Sequence, residues 1–574
     1  MKRYRAQVIA GGIVAGALVL GVIGMSIGMM WALNEKAKAT ASAVSEAAVT
    51  IAAQQNEQKA IASTKAAEAS KEEETKARKR AETITEFVTT ALKASDAQDI
   101  GAAMGAADAG HDMTILAAMD NAVKDIDAGR FKDDPETEAG LRETIGIILR
   151  NNAKYDKAKP LLESALSMRE RMFGADAPIV SESLINLATL YRLQSQYAQA
   201  EPLYSRALAI RESAHGPDHP EVAESLNNLA AIRRDQGQYT QAEALCERSL
   251  AISEKAFGSD HVAVASILHN LAALHKNQGQ YAQAEPLYSR ALAIFEKNLG
   301  PDHPSLATVL SNLAELYKFE AQYAQAEPLY KRSLAIREAA LGPDHPSVAA
   351  SLGLLASLYK AQGLYAQAEP LYTRSLAIRE AALGPDHPAV AQSLNNMADL
   401  YKTQRKYALA EPLCVRSLAI FERVMGPDHP SVATCLNNLA NLHSVKGQHS
   451  EAEPLFKRAL AILQKTLVPD HPDVAVGLAN LARTQHELGK DVEARQGFDQ
   501  AVRMQHRLSP NGSSSLARIL WRSARVRLEN KDAAAALPEL EEAVSMAENF
   551  LKPEHPHLIE YRKTLINCRE AIGK

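Results

Sequence analysis

The chain has 574 residues, and its 64 basic side chains nearly balance its 68 acidic ones. That near-neutrality excludes a whole-molecule electrostatic attraction for nucleic acid. Four cysteines (Cys246, Cys414, Cys435, Cys568) without paired spacing exclude a disulfide scaffold and a zinc fold.

In chain order, the first element is apolar. Lys2, Arg3 and Arg5 lie in a short segment, 1–7, and Val8 to Leu33 follow, 26 residues without a charge. About 20 residues span a hydrocarbon core as a helix. A transmembrane signal-anchor helix over 8–33 is therefore expected. A cleaved signal peptide has an apolar stretch of only about 7–15 residues. Ala37-Lys38-Ala39 and Ala39-Thr40-Ala41 nevertheless leave cleavage open. The positive-inside rule predicts a single-pass membrane protein with a cytoplasmic N-terminus and an extracytoplasmic (periplasmic) remainder. Gly12-xxx-Gly16 and Gly24-xxx-Gly28 would allow close helix approach. A homodimer through Gly12/Gly16 and the following stalk is one reading; the ordinary abundance of glycine in membrane helices is the other.

Residues 34–82 are rich in Ala, Glu and Lys, a composition that makes helix but offers little face to bury. A solvated helical stalk is predicted. Val44 and Ile51 stand one heptad apart, but Ile61 breaks the spacing, so coiled-coil support is thin. Over 83–136 two apolar stripes, Ile84/Phe87/Val88/Leu92 and Ile115/Leu116/Met119/Val123/Ile126, predict a helical adaptor.

The rest of the chain repeats. Tyr155, Tyr197, Tyr239, Tyr281, Tyr323, Tyr365 and Tyr407 are 42 residues apart, in step with Gly-Pro-Asp-His-Pro at Gly216, Gly300, Gly342, Gly384 and Gly426. Such a period predicts one supersecondary unit stacked on copies of itself. Within a unit the stripe Val222, Leu226, Leu229, Ala230 marks a first helix from Pro220, closed by Gly237. Ala242, Leu245, Cys246, Leu250 and Ile252 mark a second helix. Asp218 or His219 stands where a side chain caps the first helix. The array is expected over 137–556, with a capping helix at 557–574 whose charged residues supply a polar outer face. Cys246 and Cys414 share a column with Tyr204 and Tyr288, a core position.

This unit resembles the tetratricopeptide repeat. Leu187-Ala188-x2-Tyr191 and Tyr197-x2-Ala200-x3-Tyr204-x2-Ala207 stand for that family's signature, with Ala replacing the usual first-helix Gly. The long period, Ala-Glu-Pro-Leu-Tyr and Leu-Asn-Asn-Leu-Ala resemble its kinesin-light-chain subtype. The implied fold class is all-α, a right-handed α-solenoid of helix-turn-helix repeats behind the transmembrane helix and stalk. Ile84-Thr-Glu-Phe87 and Leu141-Arg-Glu-Thr-Ile-Gly146 give a layout similar to the extracytoplasmic half of bacterial membrane serine/threonine kinases, with no kinase in this chain.

The resemblance implies a concave groove, lined by the first helices, that binds a protein or peptide partner. Candidate site residues form columns. One is basic: Arg192, Arg234, Lys276, Lys318, Lys360, Lys402. Its like charges suit an acidic partner, or they are solvated cations at helix C-termini. A second holds Asn228, Asn270, Asn312, Asn396 and Asn438, amides that either hold a peptide backbone or satisfy backbone groups between neighbouring helices. Trp521 is either an interface anchor or filling for the cap. The histidine column (His219 to His471) has one imidazole per unit, which favours capping over metal binding. No catalytic, cofactor or metal constellation is recognisable, so no enzyme is expected. The expected function is a membrane-anchored interaction scaffold. The alternative is an extracytoplasmic sensor subunit whose kinase or effector is a separate chain.

Overall fold

A computed structural model describes residues 71–72, 74–87, 111–509 and 512–573, the side chains of 111–117 excepted. The expected membrane span, Gly12, Gly16 and most of the stalk lie outside these residues. Among those described, no helix is long and apolar enough to cross a membrane.

The chain divides into two units at Glu82/Thr83. In the first, residues 71, 72 and 74–82 are helical and almost wholly exposed. Lys76–Glu72 and Arg78–Glu82 pair at i,i+4 on its surface. Such exposed pairs add only tenths of a kcal/mol.

The second unit is all helix and connecting turn among its described residues. After a helix at His111–Asp127 come ten helical hairpins, from Pro135–Asn151/Tyr155–Phe173 to Ser514–Glu529/Ala533–Phe550, and a last helix, Pro556–Ile572. Most first helices touch the next first helix, whereas each second helix sits between its own first helix and the following one. The first helices therefore form the inner face and the second helices the outer. Apolar residues of both helices are buried between neighbours; Leu226, Leu310, Leu352 and Leu394 are fully enclosed. A single hairpin could not hide them. Cys246 and Cys414 lie in this core, and burial pushes both thiols up to about 11.

Two turns fix the repeat. At Gly216 the backbone takes φ 86° and ψ 161°, a combination that only glycine adopts readily, and it ends the second helix. Proline opens the next helix at N1, where its missing N–H costs nothing. The cap between them is the histidine, not the aspartate: His219 Nδ1 accepts the Glu221 N–H at 3.3 Å. Asp218 instead meets Lys255 of the next second helix. Pro202 and its counterparts inside the second helices leave those helices unbroken, because each lies on the exposed face, where the released carbonyl is left to water.

The terminal elements are atypical. Phe87 packs edge-on against Phe131, and Ile84 sits where a Cβ on Gly140 would fall 2.7 Å from it. Phe87, Met119 and Ile126 join the same core as Leu141 and Ile145. At the other end the last helix is less polar than expected. Ile559 and Ile566 are 54% and 56% exposed there, in columns that elsewhere hold the buried Ala223 and Ala230.

The array also coils until it meets itself. His555 Nε2 lies 3.1 Å from the Phe319 carbonyl, 236 residues earlier. The same separation sets His471 against the Asp235 carbonyl and His429 against that of Leu193. One superhelical turn thus takes between five and six repeats. At this seam Tyr197 packs with Val424 and Met425, and Leu551 joins the cluster of Tyr281.

Candidate functional site: the inner face of the first helices

The basic column runs along the inner face, half-buried rather than solvated. Arg192 and Arg234 both pair with Asp235, at 2.6 and 2.9 Å. Lys276 pairs with Glu315, and Asp399 takes both Lys360 and Lys402. Burial of Asp399 opposes ionisation, but those two ammonium groups hold its carboxyl below the usual range. Lys318 is the exception. Its Nζ donates to Ser357 Oγ at 3.2 Å, and burial, with Lys360 and Lys276 nearby, lowers its pKa despite Glu315.

A second inner column explains the pairing. Lys276, Lys318 and Lys360 each reach the residue 39 positions on, Glu315, Ser357 and Asp399, while Lys402 turns back to Asp399 of its own helix. The ladder is therefore largely ion-paired, across neighbouring first helices at Arg192, Lys276 and Lys360 and within one helix at Arg234 and Lys402. Part of its charge is spent within the protein.

The asparagines bridge in the opposite direction. Asn270 Nδ2 donates to Asn227 Oδ1 at 2.9 Å, and Asn312 Nδ2 approaches His269 Nε2 at 3.1 Å. Their partners are side chains of the preceding first helix rather than backbone groups. Asn396 accepts from Gln392 of its own helix. Asn228 and Asn438 lie half-buried on the same face.

Toward the C-terminus both columns become basic. The column of Glu315 and Asp399 continues as Asn441, Arg483 and Arg525, and the asparagine column ends in Arg522. These residues and Trp521 line a cavity of about 340 Å³ with Asn480, Thr484, Glu487 and Phe456. Arg483 is neutralised by Glu529 and Glu487. Arg525 lies over the Trp521 ring at 5.0 Å, and Glu529 is 3.6 Å away. Arg522 differs from both. Its Nη1 donates to Asn480 Oδ1 at 2.9 Å, and no carboxylate among the described residues forms an ion pair with it. Burial lowers its pKa, as do Arg518, Arg483 and Arg525.

Trp521 is fixed as a wall of this cavity. Its Nε1 donates to Thr564 Oγ1 at 3.0 Å, and Tyr561 tilts against it at 5.3 Å. Sequence reasoning singled out Trp521 but not Arg522, although an arginine in the asparagine column carried the signal.

Comparison with known proteins agrees with this architecture. The tetratricopeptide repeat family matches in overlapping segments, 137–213, 190–234, 221–297, 264–339, 305–381, 347–413, 390–465 and 445–505. Together they cover more than half of the chain. The chain belongs to the tetratricopeptide repeat family. Similar solved structures include the nearly identical TPR-like repeats of a kinesin light chain candidate from Podosopora anserina. It is 30% identical over 36% of this chain and 97% of that one, with a TM-score of 0.31. BtubC (BKLC) from P. vanneervenii is 26% identical over 41% of this chain and 92% of its own, with a TM-score of 0.34. A search of curated proteins gives no match.

Proposed function

We propose that this protein is a membrane-anchored interaction scaffold that holds an acidic segment of a protein partner against the inner face of its repeats. Tetratricopeptide repeats generally mediate protein–protein interaction. The observation that carries the finer reading is Arg522, a half-buried cation facing the cavity with an amide but no carboxylate for a partner. Burying a charge without a counter-ion is costly. A carboxylate from outside the chain would complete the site, and a hydrogen bond between charged groups contributes about 1.5–3 kcal/mol. The paired lysines and arginines upstream give the same face further polar contacts, with Lys318 the least neutralised among them. The 26-residue apolar run and its basic flank support the membrane anchor, with the repeats outside the cytoplasm.

The test uses Trp521 as its own reporter, in a Trp31→Phe background. Titration with a tetraglutamate peptide should change Trp521 fluorescence. Arg522→Gln should weaken that binding on the order of tenfold or more, the equivalent of at least ~1.4 kcal/mol. Equal affinity in the two proteins overturns the assignment. Anchoring is tested separately: protease added to spheroplasts should degrade the repeats, and full protection contradicts the proposed topology.

A further inference from the structure

The loop histidines all cap a helix in the same way, but they do not share one environment. His261, His303 and His345, in the first superhelical turn, are exposed. His429, His471 and His555, in the second, are 8%, 6% and 7% exposed. The preceding turn of the coil is what covers them. His429 Nε2 lies 3.2 Å from Ser195 Oγ, with the Leu193 carbonyl beside it. His471 lies against the Asp235 carbonyl, and His555 Nε2 stands 3.1 Å from that of Phe319. Each acceptor lies at or beside the C-terminus of a first helix.

The tautomer follows from the two bonds. Nδ1 of all three rings accepts a backbone N–H two residues on, at 3.1, 3.1 and 3.2 Å. The proton must then sit on Nε2, which donates across the seam. One neutral ring therefore serves two helices in successive turns. The contact is also close elsewhere: a Cβ at Gly237 would fall 2.9 Å from the His471 ring, and one at Gly279 would fall 2.9 Å from Ser514 Oγ.

We propose that His429, His471 and His555 form a proton-released clasp that holds successive turns of the coil together and opens when the imidazoles become charged. A second proton must go on Nδ1, which would then point its N–H at the N–H of its own helix, at the positive end of that helix dipole. The ring has to leave this position. Because both nitrogens belong to one rigid ring, abandoning the cap also takes Nε2 off the carbonyl. The bond to the carbonyl alone would strengthen with charge, so release depends on the cap.

The surrounding charges grade the three sites. Around His429 the seam presents the Leu193 carbonyl and Ser195, while Asp428 of its own loop is engaged by Lys465. His555 faces His557 on its own helix, and Glu320 and Lys552 lie near one another at this part of the seam. His471 has Asp473 at 3.8 Å and Asp235 across the seam, both of which favour its charged form. His387 occupies the equivalent place beside Lys154, but its buried Nε2 has no partner, so it closes nothing.

The experiment is small-angle scattering by the full chain in contrast-matched detergent, from pH 7.5 to 5. The radius of gyration should rise as pH falls, with a midpoint below about 6.5. The triple variant His429→Asn, His471→Asn, His555→Asn keeps a capping oxygen, but its shorter amide cannot cap the helix and reach across the seam at once. It should be expanded already at pH 7.5 and lose the pH response. His261→Asn, His303→Asn, His345→Asn should behave as the parent. A parent whose size does not change with pH overturns the clasp. So does a seam triple that stays compact, or one that expands with the parent midpoint. Should the seam triple lose its helical circular dichroism, His555→Asn alone replaces it: a smaller expansion at pH 7.5 supports the clasp, and none overturns it.

Discussion

At the residue scale, chemically identical side chains in one column differ in what they contribute. Tyr204, Tyr288 and Tyr330 are all buried in the second helices. The Tyr204 hydroxyl lies 2.9 Å from Thr189 Oγ1, whereas the Tyr288 and Tyr330 hydroxyls have no partner. An unsatisfied buried hydroxyl costs about 1–3 kcal/mol. Tyr330→Phe should therefore be neutral or raise the thermal midpoint, and Tyr204→Phe should lower it, by about 0.5–1.5 kcal/mol of local stability. Loss of stability in Tyr330→Phe would show that its hydroxyl is satisfied after all. None of this was legible in the sequence, where positions 204, 288 and 330 of the column all read Tyr. The hydroxyl's partner belongs to a neighbouring helix whose polar residue is not periodic.

At the scale of the helical hairpin, the repeat keeps functions even where it changes letters. Tyr317, Tyr359 and Tyr401 each donate to a glutamate 32 residues earlier. Arg233, in that same column, donates to Glu201 at the same separation. Ser249, Ser333, Ser375 and Ser417 likewise give their hydroxyl to a carbonyl 26 residues earlier, tying each second helix to its own first helix. The turn inside each hairpin needs a left-handed residue, and Gly237 and Gly489 take it at φ 75° and 72°. Alanine at either should cost about 1 kcal/mol in backbone strain. At Gly237 it would also strike His471 and Pro472 at 2.9 and 3.1 Å, whereas nothing lies within 4 Å at Gly489. Gly237→Ala should thus lower the melting temperature more than Gly489→Ala does. Equal losses would mean that the turns do not touch in solution. The helices, their proline starts and glycine stops were readable from spacing alone. The ion-pair partners of the basic column were not, because the 39-residue offset spans two units and joins residues of unlike type.

At the scale of the molecule, acid should weaken the array. Burial, with Lys154 and Arg379, pushes His387 down to about 4, and burial, with Lys276 and Arg234, does the same to His269. Unfolded histidine titrates near 6.5. Below that value the unfolded chain takes up protons that these folded sites refuse, so stability rises with pH across the window. Their contribution is complete above about pH 6.5 and is lost progressively as pH falls toward 4. The melting temperature should decline over that range. His269→Gln should flatten the decline, while an unchanged pH profile would place its titration outside the folded state.

By itself the sequence determined the unit: its length, its two helices, its glycine and proline punctuation and its membership of a repeat fold. These are local or nearest-neighbour properties, and a 42-residue period writes them out many times. Only the tertiary structure decided which cations are already neutralised, which histidines are covered, and that Arg522 stands beside a cavity without a counter-ion. The physical reason is accumulation. A small rotation between neighbours, invisible in any one repeat, brings together residues 236 apart. That separation is not a multiple of the period, so no column in the sequence marks the seam.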